Sequence, residues 1–255
     1  MLLAIDIGNT HTVIGVFSSD RLLAEWRLSS APRRTFDETW HLLKSFLVEA
    51  SMRPGDITAV GISSVVPDLT ATYETVAKRF FDTQAFVIDG GANIGIKILV
   101  HDPSTVGADR LCNAVAGFAK YGGPLIIIDL GTATTYDVID KEGSYLGGAI
   151  ALGVESEAAE LHRRAAKLPK IELQFPPSVI GKETVSSMQA GVMYGVADAI
   201  EGMVRRIRKE IGDAVRVVAT GGLSSVVAPH CPSIEATEPS LVLEGIRLIC
   251  QRAGH

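Results

Sequence analysis

One stretch occurs twice in this chain, and the duplication limits the fold more than any other feature. Residues 125–135 read L-I-I-I-D-L-G-T-A-T-T, and residues 2–12 read L-L-A-I-D-I-G-N-T-H-T. Asp129 aligns with Asp6, Gly131 with Gly8 and Thr135 with Thr12, all at one common offset. Each copy begins as a short apolar run bounded by turn residues, the pattern of a buried central strand. A carboxylate at the end of such a strand is costly to bury alone, so Asp129 is expected to face a cation, a polar cleft or solvent. Gly131 lets backbone or ligand come close, and Thr132, Thr134 and Thr135 add hydroxyls.

The segments after the two copies are also alike. Strands are expected at 2–7, 12–17 and 22–28, and again at 125–129, 135–140 and 144–150, each set joined by hairpin-length turns. Thr35-Phe36-Asp37-Glu38 is a capping box, opening a helix to about residue 52 with Trp40, Leu43, Phe46 and Leu47 inward. A strand at 57–65, a helix at 67–81, a short strand at 86–88 before Asp89-Gly90-Gly91, an extended stretch at 94–100 and a helix at 106–121 complete the first half. The second continues with helices at 154–166 and 184–211 around a proline-rich connector at 168–177. It ends with a strand at 215–219, a short helix at 224–227 and a terminal helix at 240–251. Gly191, Gly195 and Gly202 weaken the long helix, which implies a closely packed helix from this chain or from a second copy. The reading is an α/β protein of two like domains, 1–120 and 121–255, with a ligand cleft between them.

Composition narrows the class. With 255 residues, 47% hydrophobic and 21% charged, the chain can bury one large or two modest cores. The net charge of −5 and the lack of a long like-charge block argue against nucleic acid or an anionic membrane as partner. No secretory leader and no membrane-length apolar run is read, so a cytoplasmic protein is expected. Cys112, Cys231 and Cys250 lack metal spacing and are read as reduced thiols, and no histidine pair is spaced for zinc.

The chemistry lies in the loops. Asp6-Ile7-Gly8-Asn9-Thr10 alone is an ordinary strand-ending turn. Paired with Asp129-Leu130-Gly131-Thr132, it reads as one of two phosphate loops. Backbone N–H groups and Asn or Thr side chains hold oxygens there, while Asp binds Mg²⁺ directly or through water. No Walker lysine is present. Thr220-Gly221-Gly222 reads as a turn, or as a third loop admitting adenine and ribose. Gly107-Ala108-Asp109-Arg110 opens a helix. Its residues are either a dipole-favoured acid with a solvated arginine, or a general base beside an anion-binding guanidinium.

These motifs, with Arg34-Thr35, Gly147-Gly148-Ala149-Ile150, Ala166-Lys167-Leu168-Pro169 and Gly181-Lys182-Glu183-Thr184 in order, resemble the type III pantothenate kinases. That family belongs to the acetate and sugar kinase, Hsc70 and actin superfamily. The resemblance implies two duplicated ribonuclease H-like (actin-like ATPase) domains and a cytoplasmic homodimer that phosphorylates pantothenate with ATP on the way to coenzyme A. It implies that Asp6, Ile7, Gly8, Asn9, Thr10, His11, Thr12 and Val13 hold ATP phosphates, with Asp6 near Mg²⁺ and Thr132 also on ATP. It implies that Gly107, Ala108, Asp109, Arg110 and Thr184 bind pantothenate, and that Asp109 accepts the proton. Asp129 would hold the activating monovalent cation, K⁺ or NH₄⁺. Two positions depart from the family pattern: Val100 beside His101 stands where many members carry tyrosine, and Leu152-Gly153 stands where Pro-Gly is usual. A different kinase of the superfamily and a non-catalytic regulatory protein are the competing readings.

Overall fold

The computed structural model describes residues 1–30, 34–89 and 94–255. Its strands form two five-stranded sheets of the same topology. In the first, β1 (Leu2–Ile7) is central; β2 (His11–Ser18) and β3 (Arg21–Ser29) meander away antiparallel on one side, and β4 (Ala59–Ser64) and β5 (Ala85–Ile88) extend it in parallel on the other. In the second, β6 (Leu125–Leu130) is central, flanked by the meander β7 (Ala133–Ile139) and β8 (Tyr145–Leu152) and by the parallel strands β9 (Arg216–Thr220) and β10 (Ala236–Thr237). The expected duplication is therefore present strand for strand. The two-residue β10 has too little apolar sequence to have been expected. Residues 94–100 form no strand, and Gly90 and Gly91 of the expected loop lie outside the described residues.

Alternation along β1 decides which helix goes where. Leu3, Ile5 and Ile7 share a core with α1 (Phe36–Glu49) and α2 (Pro67–Phe80), through Leu43, Leu47, Tyr73 and Val76. The Thr35 capping box starts α1: Glu38 N donates to Thr35 Oγ1 at 3.3 Å, and Thr35 N donates to Glu38 Oε2 at 2.8 Å. Leu43 and Leu47 are buried, while Trp40 and Phe46 stack at the margin on Phe80 and Trp26.

The opposite face of the first sheet is lined by small residues. Gly15, Ala4 and Gly61 are register neighbours across β2, β1 and β4. A side chain at Gly61 would run into Cys250 and Ile246, and one at Gly15 into Leu243, all on α7 (Leu241–Arg252). At Gly245 the same helix touches the backbone of Cys112 on α3 (Ala108–Tyr121). The compact units are accordingly Met1–Ala116 with Leu241–His255, and Gly117–Ser240. This differs at the terminal helix from a simple division near residue 120. The row of small residues on the first sheet is the physical reason that the last helix returns to it.

In the second unit α4 (Val154–Arg164) and α5 (Thr184–Ile211) cover β6 and β7 through Ile126, Ile128, Leu130, Tyr136, Val192, Val196 and Ile200. The connector between these helices is irregular, as its prolines require. It is tied down where Gln189 Nε2 donates to Glu172 O and Tyr194 Oη donates to Pro176 O.

The α7 contact can be tested by the sign of one substitution. In an open helix Gly→Ala stabilises by up to about 1 kcal/mol. Gly245→Ala is expected instead to lose about 1–3 kcal/mol in urea denaturation, because the new methyl meets backbone that cannot rotate away.

Candidate active site

The first unit carries two of the expected motifs, the Asp6 loop and Gly107-Ala108-Asp109-Arg110. Asp6 sits at the end of β1, opposite Ser63 of β4, and Ser63 Oγ donates to Asp6 Oδ1 at 2.8 Å. Ser63 is fully buried, so its hydroxyl is held for that carboxylate. Buried Cys112 lies one turn along α3 from Asp109. Desolvation pushes its thiol well up; the negative charges of Asp6 and Asp109 raise it further, while the neighbouring Ser63 hydroxyl lowers it. Both carboxylates therefore act electrostatically on one buried thiol. Asp109, in the first turn of α3, accepts from Arg110 N at Oδ1 over 2.8 Å. A side chain at Gly107 would begin 2.5 Å from that same oxygen, so glycine leaves room for the carboxylate to fold back. Ala108 is buried; Asp109 and Arg110 are half-buried.

The loop between β1 and β2 is closed by Gly8 N donating to His11 O at 2.9 Å. Asn9 is exposed at its tip, with Gly8, Thr10, His11 and Val13 half-buried around it. Ile7 and Thr12 are buried beneath, paired across the strands. The Thr12 side chain faces inward: its hydroxyl meets Ser30 Oγ at 3.0 Å, and Tyr73 lies beside it. Burial pushes the Tyr73 hydroxyl up to about 12, against the lowering effects of Arg34 and Thr12.

The second unit presents the matching loop with different chemistry. Asp129 pairs with Thr135 on one side and Thr220 on the other. Gly221 has φ +88°, and a side chain there would collide with Asp129 Oδ1 and the Leu130 backbone. The Asp129 carboxylate thus lies in a backbone cradle that only glycine leaves open. Thr220 Oγ1 donates to Glu238 O at 2.7 Å, and the Glu238 carboxylate is held by Lys120 and Tyr121. Thr132 is exposed on the loop, its carbonyl accepting from Ser156 Oγ at 3.1 Å.

The other hydroxyls of that loop are engaged differently from the sequence expectation. Thr135 Oγ1 donates to Asp137 Oδ2 at 3.0 Å, and the buried Asp137 also accepts from Tyr145 Oη at 2.7 Å. Thr134 is buried on the other face of β7. Thr184 begins α5, exposed, and lines a pocket of about 640 Å³ with Glu157, Gly181, Lys182 and Met188.

The donor sets fit the cations expected. Asp6 and Asp129 offer hard oxygens at strand ends, which suit Mg²⁺ and an alkali ion and do not suit a soft metal. Ser63 was legible only as a polar residue ending an apolar strand parallel to β1. Nothing in the sequence marked Cys112 as neighbour to two carboxylates.

Solved structures share this architecture. A Campylobacter jejuni protein described as a Baf family transcriptional activator matches with TM-score 0.63 at 16% identity, over 99% of this chain and 98% of that one. An inorganic polyphosphate/ATP-glucomannokinase from Arthrobacter matches with TM-score 0.53 at 14% identity, over 98% of both chains. These structures share the fold of two α/β units. The model of the type III pantothenate kinase family matches residues 2–206. A protein of that name from Thermomicrobium roseum is 43% identical over 252 residues, 99% of this chain and 97% of its own length. The chain belongs to the type III pantothenate kinase family.

The Gly221 cradle yields a direct expectation. Gly221→Ala combines a disfavoured φ with a collision at Asp129, and is expected to destabilise the protein by about 1–3 kcal/mol in thermal or urea unfolding.

Proposed function

We propose that this chain transfers the γ-phosphoryl group of ATP to the primary hydroxyl of pantothenate, giving 4′-phosphopantothenate and ADP, the first committed step toward coenzyme A. The observation that carries the reading is family membership over the whole chain, with the Gly-x-Asp-Arg motif and the Asp6 loop in one unit beside one buried thiol. The loop from Asp6 to Val13 holds the ATP phosphates through backbone N–H groups and the Asn9 and Thr10 side chains. Thr132 adds a contact to ATP. Mg²⁺, held by Asp6 directly or through water, supplies positive charge to the phosphates.

Asp109 accepts the proton of the attacking hydroxyl as its oxygen bonds to the γ-phosphorus and the bond to the ADP oxygen breaks. Arg110 beside it neutralises anionic charge, and the backbone of Gly107 and Ala108 lets substrate approach the helix start. Thr184 gives pantothenate a hydroxyl partner. Asp129, in its glycine cradle, holds K⁺ or NH₄⁺. Phosphoryl transfer demands positioning and charge stabilisation more than covalent chemistry, which this set of carboxylates, amides and one arginine provides.

The same reading includes a homodimer. On α5, side chains added at Gly191 or Gly195 would meet nothing within 4 Å among the described residues. The outward row of the edge strand β8 carries exposed Ile150 and Leu152, at 66% and 60% exposure. A second copy packing on these surfaces accounts for helix glycines that are otherwise a net cost. No helix among the described residues is long and apolar enough to cross a membrane. A cytoplasmic enzyme is the reading adopted.

Asp109→Asn is expected to lower kcat by about 10²–10⁴-fold while ATP affinity stays within about twofold. A coupled ADP-release assay with K⁺ and Mg²⁺ present, alongside calorimetric ATP titration, measures both; turnover near wild type removes the proton-acceptor role. Phosphorylation of a sugar or acetate in place of pantothenate would instead select another superfamily kinase. Gly195→Leu is expected to shift the protein from dimer to monomer in light scattering, and an unchanged mass would rule out the α5 face as the interface.

A further inference from the structure

The two central loops are copies, yet different residues hold them from behind. In the first unit Ser30, just past β3, holds the loop at two points. Ser30 Oγ donates to Gly8 O at 2.7 Å, and Ser30 N donates to Thr10 O at 2.9 Å. Because the Ser30 proton goes to Gly8 O, the 3.0 Å contact with Thr12 runs the other way, with Thr12 Oγ1 donating to Ser30 Oγ. Ser30 is buried, so water does not compete for these bonds.

The strand register identifies the corresponding residues of the second unit. Thr12 pairs with Ile7 and Leu28; Thr134 pairs with Leu130 and Ala151. Thr134 is therefore the structural counterpart of Thr12, and Gly153 that of Ser30. A side chain at Gly153 would strike Gly131 O and Thr132 O, the carbonyls that correspond to those Ser30 holds. Lacking such a serine, Thr134 Oγ1 is buried with no hydrogen-bond partner among the described residues. Among the described residues the serine hydroxyl on the first loop carbonyl is present in the first unit, which also carries the extra loop residue, Asn9; at the second loop Ser156 Oγ holds Thr132 O instead.

We propose that Ser30 is a positioning residue for oligophosphate binding by the first loop, an inference that rests on the phosphate-loop reading above. A trans peptide sets its C=O and N–H in opposite directions. Holding Gly8 O toward Ser30 turns the Asn9 N–H away from it. Holding Thr10 O does the same for the His11 N–H. Ser30 thus aims two backbone donors together, as a nest that accepts phosphate oxygens needs. It touches no substrate; it acts through the carbonyls of Gly8 and Thr10.

The test uses the full chain and two probes, adenosine and inorganic tripolyphosphate, each titrated by calorimetry with Mg²⁺, together with the KM for ATP. In Ser30→Ala the loss of the hydroxyl's two hydrogen bonds and the stranding of Gly8 O are expected to weaken tripolyphosphate binding and raise the ATP KM by about fivefold to tenfold. Adenosine affinity and the KM for pantothenate should stay within about twofold, and Ser30→Thr, which keeps the hydroxyl, should restore tripolyphosphate binding. Wild-type tripolyphosphate affinity in Ser30→Ala overturns the proposal. So does an equal loss for both probes, which marks a merely structural role. Asn9→Asp separates this from the underlying reading: a new negative charge at the tip abolishes tripolyphosphate binding if phosphates sit there, and leaves it unchanged if they do not.

Discussion

Much in this protein depends on one constraint, a carboxylate at the end of a strand that is the centre of a sheet. β1 and β6 are each hydrogen-bonded on both sides, antiparallel to one neighbour and parallel to the other. Their ends cannot shift without breaking two ladders. Side-chain alternation then fixes the face. Leu3, Ile5 and Ile7 face the core with α1 and α2, so Asp6 falls with Ala4 on the face of α7 and α3. In the second unit Asp129 falls with Ile127, against which Gly117 of α3 packs. A carboxylate held this rigidly needs partners built around it, and the structure supplies a buried serine hydroxyl to Asp6 and a glycine cradle to Asp129.

Which features were legible in sequence depends on which forces write a local pattern. The duplicated strands were legible because a buried central strand must be continuously apolar and must stop at a turn. The capped helix was legible because capping is local chemistry within four residues. The placement of α7 was not. Its cause is the row Gly15, Ala4 and Gly61, three residues far apart in sequence that become neighbours only when the strands pair. Glycines in strands look like ordinary weak points until a helix is seen to occupy the space they leave.

The candidate site shows the same limit at finer scale. The match of Thr12 with Thr135 by sequence offset is off by one residue in space, because the first loop is longer by Asn9 and register counts from the strand, not from the aspartate. Thr135 faces Asp137, and Thr134 is the counterpart of Thr12. Ser30 carried no signal at all, since serine at the end of an exposed strand is common and its two acceptors lie about twenty residues upstream. The glycines of α5 were legible as a question, intramolecular partner or second copy. The chain itself narrows that question, since none of the described residues lies within 4 Å of a side chain added at Gly191 or Gly195.

The divergence of the two loops makes physical sense if they serve opposite charges. A loop that takes an anion needs its amides pointing out, which requires something behind it to capture the carbonyls; Ser30 occupies that position. At the second loop the hydroxyl partner differs: Ser156 Oγ donates to Thr132 O at 3.1 Å, and no side chain stands behind Gly131 O at the position of Ser30. At the second loop the serine is replaced by Gly153, while Gly221 clears space beside the Asp129 carboxylate. Duplication supplied two equivalent loops. One inserted residue and one serine–glycine difference separate them, and under the proposed roles the decisive variable is which way a peptide plane faces.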